Sequence, residues 1–326
     1  MSELSANWLS EEEWLHRWKT GLVPLQGPYL GYYSSVVDGF FKEPWGFWVP
    51  VDDHLVHRGD GVFEAMRIID RAYFDLESHL TRLERSAAKI FLTLPFSVTQ
   101  IRERCLQLAK LCDESEAVLR LYVGRGPGSF SPNPYEPKRS QLYMAMTPWK
   151  SSPGRWYEEG VRAGVSLVEG KRPFDATIKS CNYLQNVLQK KDAVDRGFDF
   201  TVCVNEDGCI LEGATESFCI ITADGHFLIP STDMTLPGTT MGVTKQLAEE
   251  LVKEGRLKSV KEARFRVEDV TKAREAAFVG TTIAVTPVTR WEKGEIGDGR
   301  VGPIASELGK RLDRAMRTDP KVRTPF

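Results

Sequence analysis

Lys179 stands in "DATIKSCNYLQNVLQKKDAVDRGFDF" (175–200), where an apolar extended segment is about to become a helix. Read alone, it is a solvated surface lysine. It becomes a nucleophile only where its surroundings lower its pKa or a carbonyl captures it as an imine. Glu212, in "LEGATESF", follows at a strand end and is by itself an ordinary turn acid. Tyr183 comes one helical turn after Lys179, close enough to face the same site, although core packing accounts for it equally well. "LPGTTMGV" brings a glycine and the hydroxyls of Thr239 and Thr240 to the start of a helix, whose free amides and dipole attract anions. Thr240 would also serve as a plain N-cap. Arg82, in "HLTRL", falls off the Leu80/Leu83 face and offers a bidentate fork to a phosphate, and Thr281 of "GTT" adds a hydroxyl.

One cofactor needs all of these groups. Pyridoxal phosphate requires an imine-forming lysine, an acid beside its pyridine nitrogen, a hydrogen bond to its phenolic oxygen and a site for its phosphate dianion. Lys179, Glu212, Tyr183 and the "LPGTTMGV" helix start, with Arg82 and Thr281, supply one candidate for each need.

The elements that would position them follow from periodicity and punctuation. Residues 1–50 are rich in Trp, Tyr, Gly and Pro, with a short helical pattern around Glu11 to Trp18; they read as an irregular extension, with local strands, packing its aromatics on the core or on a second subunit. A strand is expected over Val62–Ile69, then a turn at Asp70 and Arg71 and a short second strand. Leu80, Leu83, Ala87, Ile90, Phe91 and Leu94 have the spacing of one helix face ended by Pro95, and a second helix is expected over Thr99–Cys112. Strands "AVLRLYVGRG" and "QLYMAMTPW" complete a small α+β domain, 51–150, which ends at the linker candidate "KSSPGRW". In the larger domain, 151–326, Leu184, Val187, Leu188 and Val194 recur at helical spacing before Gly197, a C-cap candidate. Hairpins are expected across Asn205–Gly208 and Ala223–Gly225, a helix with Val243, Leu247 and Leu251 inward, and one strand over "AAFVGTTIAVTPV".

With 326 residues, 41% hydrophobic and 27% charged, the chain reads as a globular protein of about two domains. A formal net charge of -2 without basic arms points away from nucleic acid and toward a small-molecule partner. The six cysteines lack C-x-x-C spacing, the histidines lack metal-ligand spacing, and no signal peptide or membrane-spanning run is found, so a cytoplasmic, metal-free protein is the expectation.

"GDGVFEAMR", "HLTRL", "IKSCNYLQN", "EGATESF", "LPGTT" and "FVGTTIAVTPV", in that order, resemble the class IV pyridoxal-phosphate aminotransferases of fold type IV, over about Asp52 to Ile304. That group holds branched-chain and D-amino-acid aminotransferases and the aminodeoxychorismate lyases. The resemblance implies a mixed α/β fold, with a small α+β domain and a larger barrel-like α/β domain, and a homodimer in which a loop of the second subunit closes the site. It implies that Lys179 is the Schiff-base lysine and proton carrier, that Tyr183 bonds the phenolic oxygen and Glu212 the pyridine nitrogen, that Arg82, Thr239, Thr240 and Thr281 hold the phosphate, and that Leu236 packs on the ring. The implied reaction is a double displacement between an amino donor and a keto-acid acceptor.

The chain departs from the family at two cofactor-facing motifs. "EGATESF" replaces Glu-Gly-Ser-x-Ser-Asn-x-Phe with one residue fewer, and "LPGTTM" has Thr239 for Ile and Met241 for Arg. For a substrate carboxylate the candidates are Arg67, Arg120 and Arg125, each of which could instead be a structural ion pair. Phe63 is expected in the side-chain pocket, and Thr282 joins the substrate-binding candidates. "VLRLYVG" resembles the branched-chain enzymes, whereas "PGSFSPNP" lacks the Arg-x-His pair of the D-amino-acid enzymes. Glu64 matches the aminotransferases rather than the lyases, which often carry a hydroxyl residue there. A branched-chain-like aminotransferase therefore ranks first, a lyase second and a catalytically silent homologue third.

Overall fold

The computed structural model describes residues 8–22 and 27–326. Helix α1 (Glu11–Leu22) opens on three glutamates and has Lys19 in its last turn, the charge order the helix dipole favours. It runs past Trp18, and Trp14, Trp18 and Trp48 pack on one another with centroids 5.4–6.0 Å apart. Strands β1 (Gly31–Ser34) and β2 (Gly39–Phe41) form a hairpin, and α2 (His54–Arg58) is N-capped by the Asp53 side chain. The alternation in β3 (Gly61–Ile69) carries through a turn at Asp70 and Arg71, both with positive φ, into β4 (Ala72–Phe74).

Helix α3 (Leu76–Lys89) buries Leu76, Leu80, Leu83 and Ala87, together with the polar His79, Arg82 and Ser86. It stops before Pro95: Phe91 turns to φ 52 and is exposed, while Leu92 N–H reaches back to the Ala87 carbonyl. The helical spacing through Leu94 is thus broken by a left-handed turn. A capping box of Ser97 and Gln100 opens α4 (Val98–Cys112). Strands β5 (Ala117–Gly124) and β6 (Gln141–Pro148) complete this half, and the β3–β5 register sets Ala65 opposite Arg120.

The second half runs α5 (Arg155–Glu158), β7 (Val161–Val165), α6 (Pro173–Ala176), α7 (Leu184–Asp195), β8 (Phe200–Val202), β9 (Ser217–Ile221), β10 (His226–Pro230), α8 (Thr239–Lys253), β11 (Ser259–Ala263) and α9 (Val267–Thr271). Then follow β12 (Glu275–Gly280), β13 (Ala284–Trp291), β14 (Gly294–Glu295), α10 (Pro303–Thr318) and β15 (Arg323–Pro325). The expected single strand through "AAFVGTTIAVTPV" is two, β12 and β13. Ile283 N–H bonds the Gly280 carbonyl and Ala284 takes φ 50, so Thr281 and Thr282 sit in a tight turn.

Two sheets result. The first has the order β15-β4-β3-β5-β6-β1-β2 and so draws on residues before 51 and after 150. The second, a half-barrel, has the order β11-β10-β9-β12-β13-β7-β8, with β14 on β13. Ile69 and Phe74 of the first sheet share a buried cluster with Ile229, Val285 and Leu312 of the second half, which fixes the sheets relative to one another. The cores are of close-packed aliphatic and aromatic side chains; the polar residues left between the sheets form the site.

Candidate active site

Hydrogen bonds stitch the lysine segment to the β3 backbone and to the Ser86 hydroxyl of α3. Phe63 N–H donates to the Lys179 carbonyl at 3.0 Å, Cys181 N–H to the Gly61 carbonyl at 2.8 Å, and Lys179 N–H to Ser86 Oγ at 3.3 Å. Lys179 is thereby held at the wall of a cavity of about 750 Å³ between the sheets. Its Nζ lies 4.5 Å from the Phe63 ring centroid and, among the described residues, has no hydrogen-bond or ion-pair partner. Burial, and next the Arg82 charge, push its pKa down to about 8, so roughly a tenth of the amine is neutral at pH 7.

One end of the cavity is built to receive an anion. Gly238 N-caps α8, and Thr239, Thr240 and Met241 follow as its first turn, whose amides have no intrahelical acceptors. Thr240 Oγ1 and Thr281 Oγ1 are 3.1 Å apart, the turn between β12 and β13 having brought them together. Arg82 also lines this cavity. Its guanidinium is fixed by a fork to Glu64 (Nε–Oε1 2.8 Å, Nη2–Oε2 2.6 Å) and by Nη1 donation to the Pro237 carbonyl at 3.1 Å, with N–H capacity left over. Burial would raise the Glu64 carboxyl, but Arg82 and His79 outweigh it and hold the pKa at about 2.

His79 links the same carboxylate to Thr239: Nδ1 is 2.6 Å from Glu64 Oε2 and Nε2 is 3.2 Å from Thr239 Oγ1. Burial lowers the pKa of His79. With Glu64 taking the Nδ1 proton, the neutral ring accepts at Nε2, so the Thr239 hydroxyl donates to His79. The Thr239 hydroxyl is thus engaged by His79, which leaves its backbone amide, in the first turn of α8, without an intrahelical acceptor.

An acid lines the same cavity. Glu212 lines the cavity and its Oε2 accepts from Leu236 N–H at 3.2 Å, which also sets Leu236 on the wall. Burial pushes Glu212 up to about 7, although the Leu236 N–H and the nearby Lys171 and Lys179 favour its ionised form. Tyr183 stands edge-on to Phe63 with centroids 5.2 Å apart, and its buried hydroxyl has a strongly raised pKa. A phenol in that state is a hydrogen-bond donor across the neutral range.

The remaining wall is mostly apolar: Val49, Leu55, Phe63, Ala65 and Tyr122, with Thr282 and one arginine, Arg120, whose Nη1 donates to Thr147 Oγ1 at 2.9 Å. Arg67 and Arg125 are elsewhere. Arg67 pairs with Glu116 and stacks on Trp149, and Arg125 grips Asp60 through Nε and Nη2 while donating to the carbonyls of Ile90 and Phe91. Both are held in ion pairs, and neither lines the cavity. His57 is likewise held by backbone carbonyls off the cavity.

Sequence reasoning passed over Lys171, Asn186 and Glu216, all on the cavity wall. Glu216 is buried and accepts from Thr215 N–H at 3.0 Å. The altered "ATESF" was its visible trace; Lys171, in a loop before α6, left none.

The cavity combines an anion-receiving helix start, an unpaired enclosed lysine and a carboxylate able to meet a cation, which is the donor set that pyridoxal phosphate fits. A family model described as Amino-transferase class IV matches residues 61–291. The chain is 37% identical over 304 residues to the chloroplastic D-amino-acid transaminase of Arabidopsis thaliana, covering 91% of this chain and 80% of that protein. It is 28% identical over 276 residues to the D-alanine aminotransferase of Bacillus licheniformis, covering 83% and 93%. In fold it is similar to the branched-chain amino acid aminotransferase of Thermobaculum terrenum solved in its PLP form, with a TM-score of 0.80 at 22% identity over 92% of this chain and 99% of that one.

Proposed function

This chain belongs to the class IV aminotransferases, enzymes of pyridoxal-phosphate-dependent transamination, and from that premise we propose that Lys179 binds the cofactor and carries the proton at the substrate's α-carbon. The observation that carries this reading is the unpaired Lys179 amine on the wall of one cavity that the start of α8 and Glu212 also line. Bound there, pyridoxal phosphate supplies an electrophilic carbonyl and an electron-accepting ring. Glu212 holds a proton at the ring nitrogen, and Tyr183 donates to the phenolic oxygen. The amides of Thr239 and Thr240, the hydroxyls of Thr240 and Thr281, and Arg82 bind the phosphate, while Leu236 packs on the ring. The lowered pKa of Lys179 lets its amine accept a proton near neutral pH, as a general base must.

For the substrate, we infer an amino acid of apolar side chain, its carboxylate held by Arg120 and its side chain by Phe63, Ala65 and Tyr122, with Thr282 at the rim. This is the branched-chain-like reading. A D-amino-acid donor is the second reading, favoured by the 37% identical relative. The lyase and silent readings find no support in the Lys179 environment or in these relatives.

A homodimer accords with the outer face of α7. The stripe that helical spacing marked is turned outward: Leu184, Val187, Leu188 and Val194 are 67%, 57%, 44% and 62% exposed. We place the division of the chain near 149–155, between the two sheets, and its residence in a reducing compartment such as the cytoplasm, in keeping with six free cysteines. Among the described residues no helix is long and apolar enough to cross a membrane.

The test is the visible absorption spectrum of the wild type and of Lys179→Ala with pyridoxal phosphate, before and after L- and D-amino acids and primary amines. A band present in the wild type, absent in the variant and bleached by one donor class is expected. A wild type with no band in excess cofactor would overturn the role of Lys179, and bleaching by D-amino acids alone would replace the branched-chain-like reading with the second.

A further inference from the structure

Beside the main cavity lies a second, of about 20 Å³, and Glu212, Lys171 and Asn186 line both. Two of its amide nitrogens are bonded to backbone carbonyls. Gln189 Nε2 donates to the Thr201 carbonyl at 3.0 Å, and Gln185 Nε2 donates to the Glu169 carbonyl. Asn186 is different. Its Nδ2 donates to the Ala214 carbonyl at 2.6 Å, which fixes the amide's orientation and leaves the enclosed Oδ1 without a partner. Lys171 Nζ lies 5.2 Å from the Tyr183 ring centroid and, among the described residues, makes no hydrogen bond or ion pair.

We propose that this small cavity is a one-water site in which Lys171 acts as a positioning residue for Glu212. The volume suits one water, which needs roughly 10–15 Å³ and two to four polar partners. The bonding balances: the water accepts from the Lys171 ammonium and donates to Asn186 Oδ1 and to the Glu212 carboxylate. The bridge holds the carboxylate's orientation and keeps a cation at its back, favouring its ionised form. The titratable groups facing Lys171 are Glu212, Asp175 and the Cys203 thiol, which burial pushes up to about 12 and so keeps neutral; those facing Glu212 are Lys171, Lys179 and Glu216. The inference rests on the reading of Glu212 as the acid that meets the cofactor ring.

The experiment is a crystal structure of the wild type, with and without pyridoxal phosphate, together with pH titrations of cofactor binding, read by the visible band, in wild type, Lys171→Met and Lys171→Arg. Expected is one ordered water within hydrogen-bonding distance of Asn186 Oδ1 and Lys171 Nζ in both crystals. Losing the ammonium raises proton affinity at Glu212, so the acid-side midpoint of cofactor binding moves up by about half to one pH unit in Lys171→Met and stays in place in Lys171→Arg. A cavity that is dry, or a water not bonded to Lys171, overturns the site; an unmoved midpoint in a folded Lys171→Met overturns the positioning role. Should the methionine variant not fold, Lys171→Gln replaces it. A wild type without any visible band would instead sink the cofactor reading, while the water in the cofactor-free crystal still decides the site.

Discussion

Between pH 4.5 and about 7 the cofactor-free protein holds a proton on Glu212 that the unfolded chain releases, because burial raises the folded value. The native state binds more protons across that window, so stability falls as pH rises through it, by up to about 3 kcal/mol. Glu212→Gln is therefore expected to stabilise the apoprotein at pH 8 by about 1–3 kcal/mol in denaturant titration while transamination falls about 100-fold or more. Glu64 has the opposite sign. Its folded value, about 2, lies below the ordinary 4.5, so its contribution is fully present above pH 4.5 and is lost as pH falls toward 2. Removing its charge leaves Arg82 buried and unpaired, and Glu64→Gln should cost about 3–5 kcal/mol and weaken cofactor binding with it. A Glu64→Gln protein of wild-type stability would show that Arg82 is solvated some other way. Lys179 gives a kinetic counterpart: cofactor capture by the apoenzyme, followed by stopped-flow absorbance, should accelerate with pH and level off above about 8, where the amine is neutral.

At the scale of elements, the site depends on where three segments stop. Helix α8 starts at the cavity because Gly238 permits close approach: a Cβ there would meet Ser217 Oγ at 2.6 Å and Met241 Cβ at 3.3 Å. Gly238→Ala should push the helix start away from β9 and lower cofactor affinity about tenfold, with a smaller loss of global stability; equilibrium dialysis of pyridoxal phosphate checks this. The left-handed Ala284 ends the turn that carries Thr281 toward Thr240, and the bond of Phe63 N–H to the Lys179 carbonyl ends the extended segment where the lysine must stand. Sequence reading placed these elements well where apolar periodicity was long, as in β3, α4, α8 and β5. It ran α3 on past Lys89 and fused β12 with β13, since a positive φ at Phe91 or Ala284 is imposed by tertiary packing on residues with no preference for it.

For the whole molecule, the exposed apolar stripe on α7 is a feature that one subunit leaves unexplained. Val187→Asp is expected to convert a dimer to monomers in sedimentation velocity without lowering the monomer's own stability, because Val187 is 57% exposed. A variant that sediments like the wild type would move the proposed interface to another face. The first sheet, closed by β1 and β2 on one edge and by β15 on the other, uses both ends of the chain, so truncating 323–326 should loosen the same unit that holds Arg82.

Taken alone, the sequence determined the cofactor chemistry and the fold class. The lysine, the acid, the tyrosine and the helix-start cradle are of types that only one kind of site needs together, and their order along the chain matched one family. Tertiary structure alone decided among the arginines. Arg67, Arg120 and Arg125 are chemically identical, and only the strand register and the positions of Glu116, Thr147 and Asp60 show which of them lines the cavity. Packing likewise turned Thr239's hydroxyl to His79, set Lys171 beside Glu212 and faced the α7 stripe outward. Residue type and spacing carry the chemistry a side chain can do, whereas the partner it meets is set by distances between segments far apart in the chain.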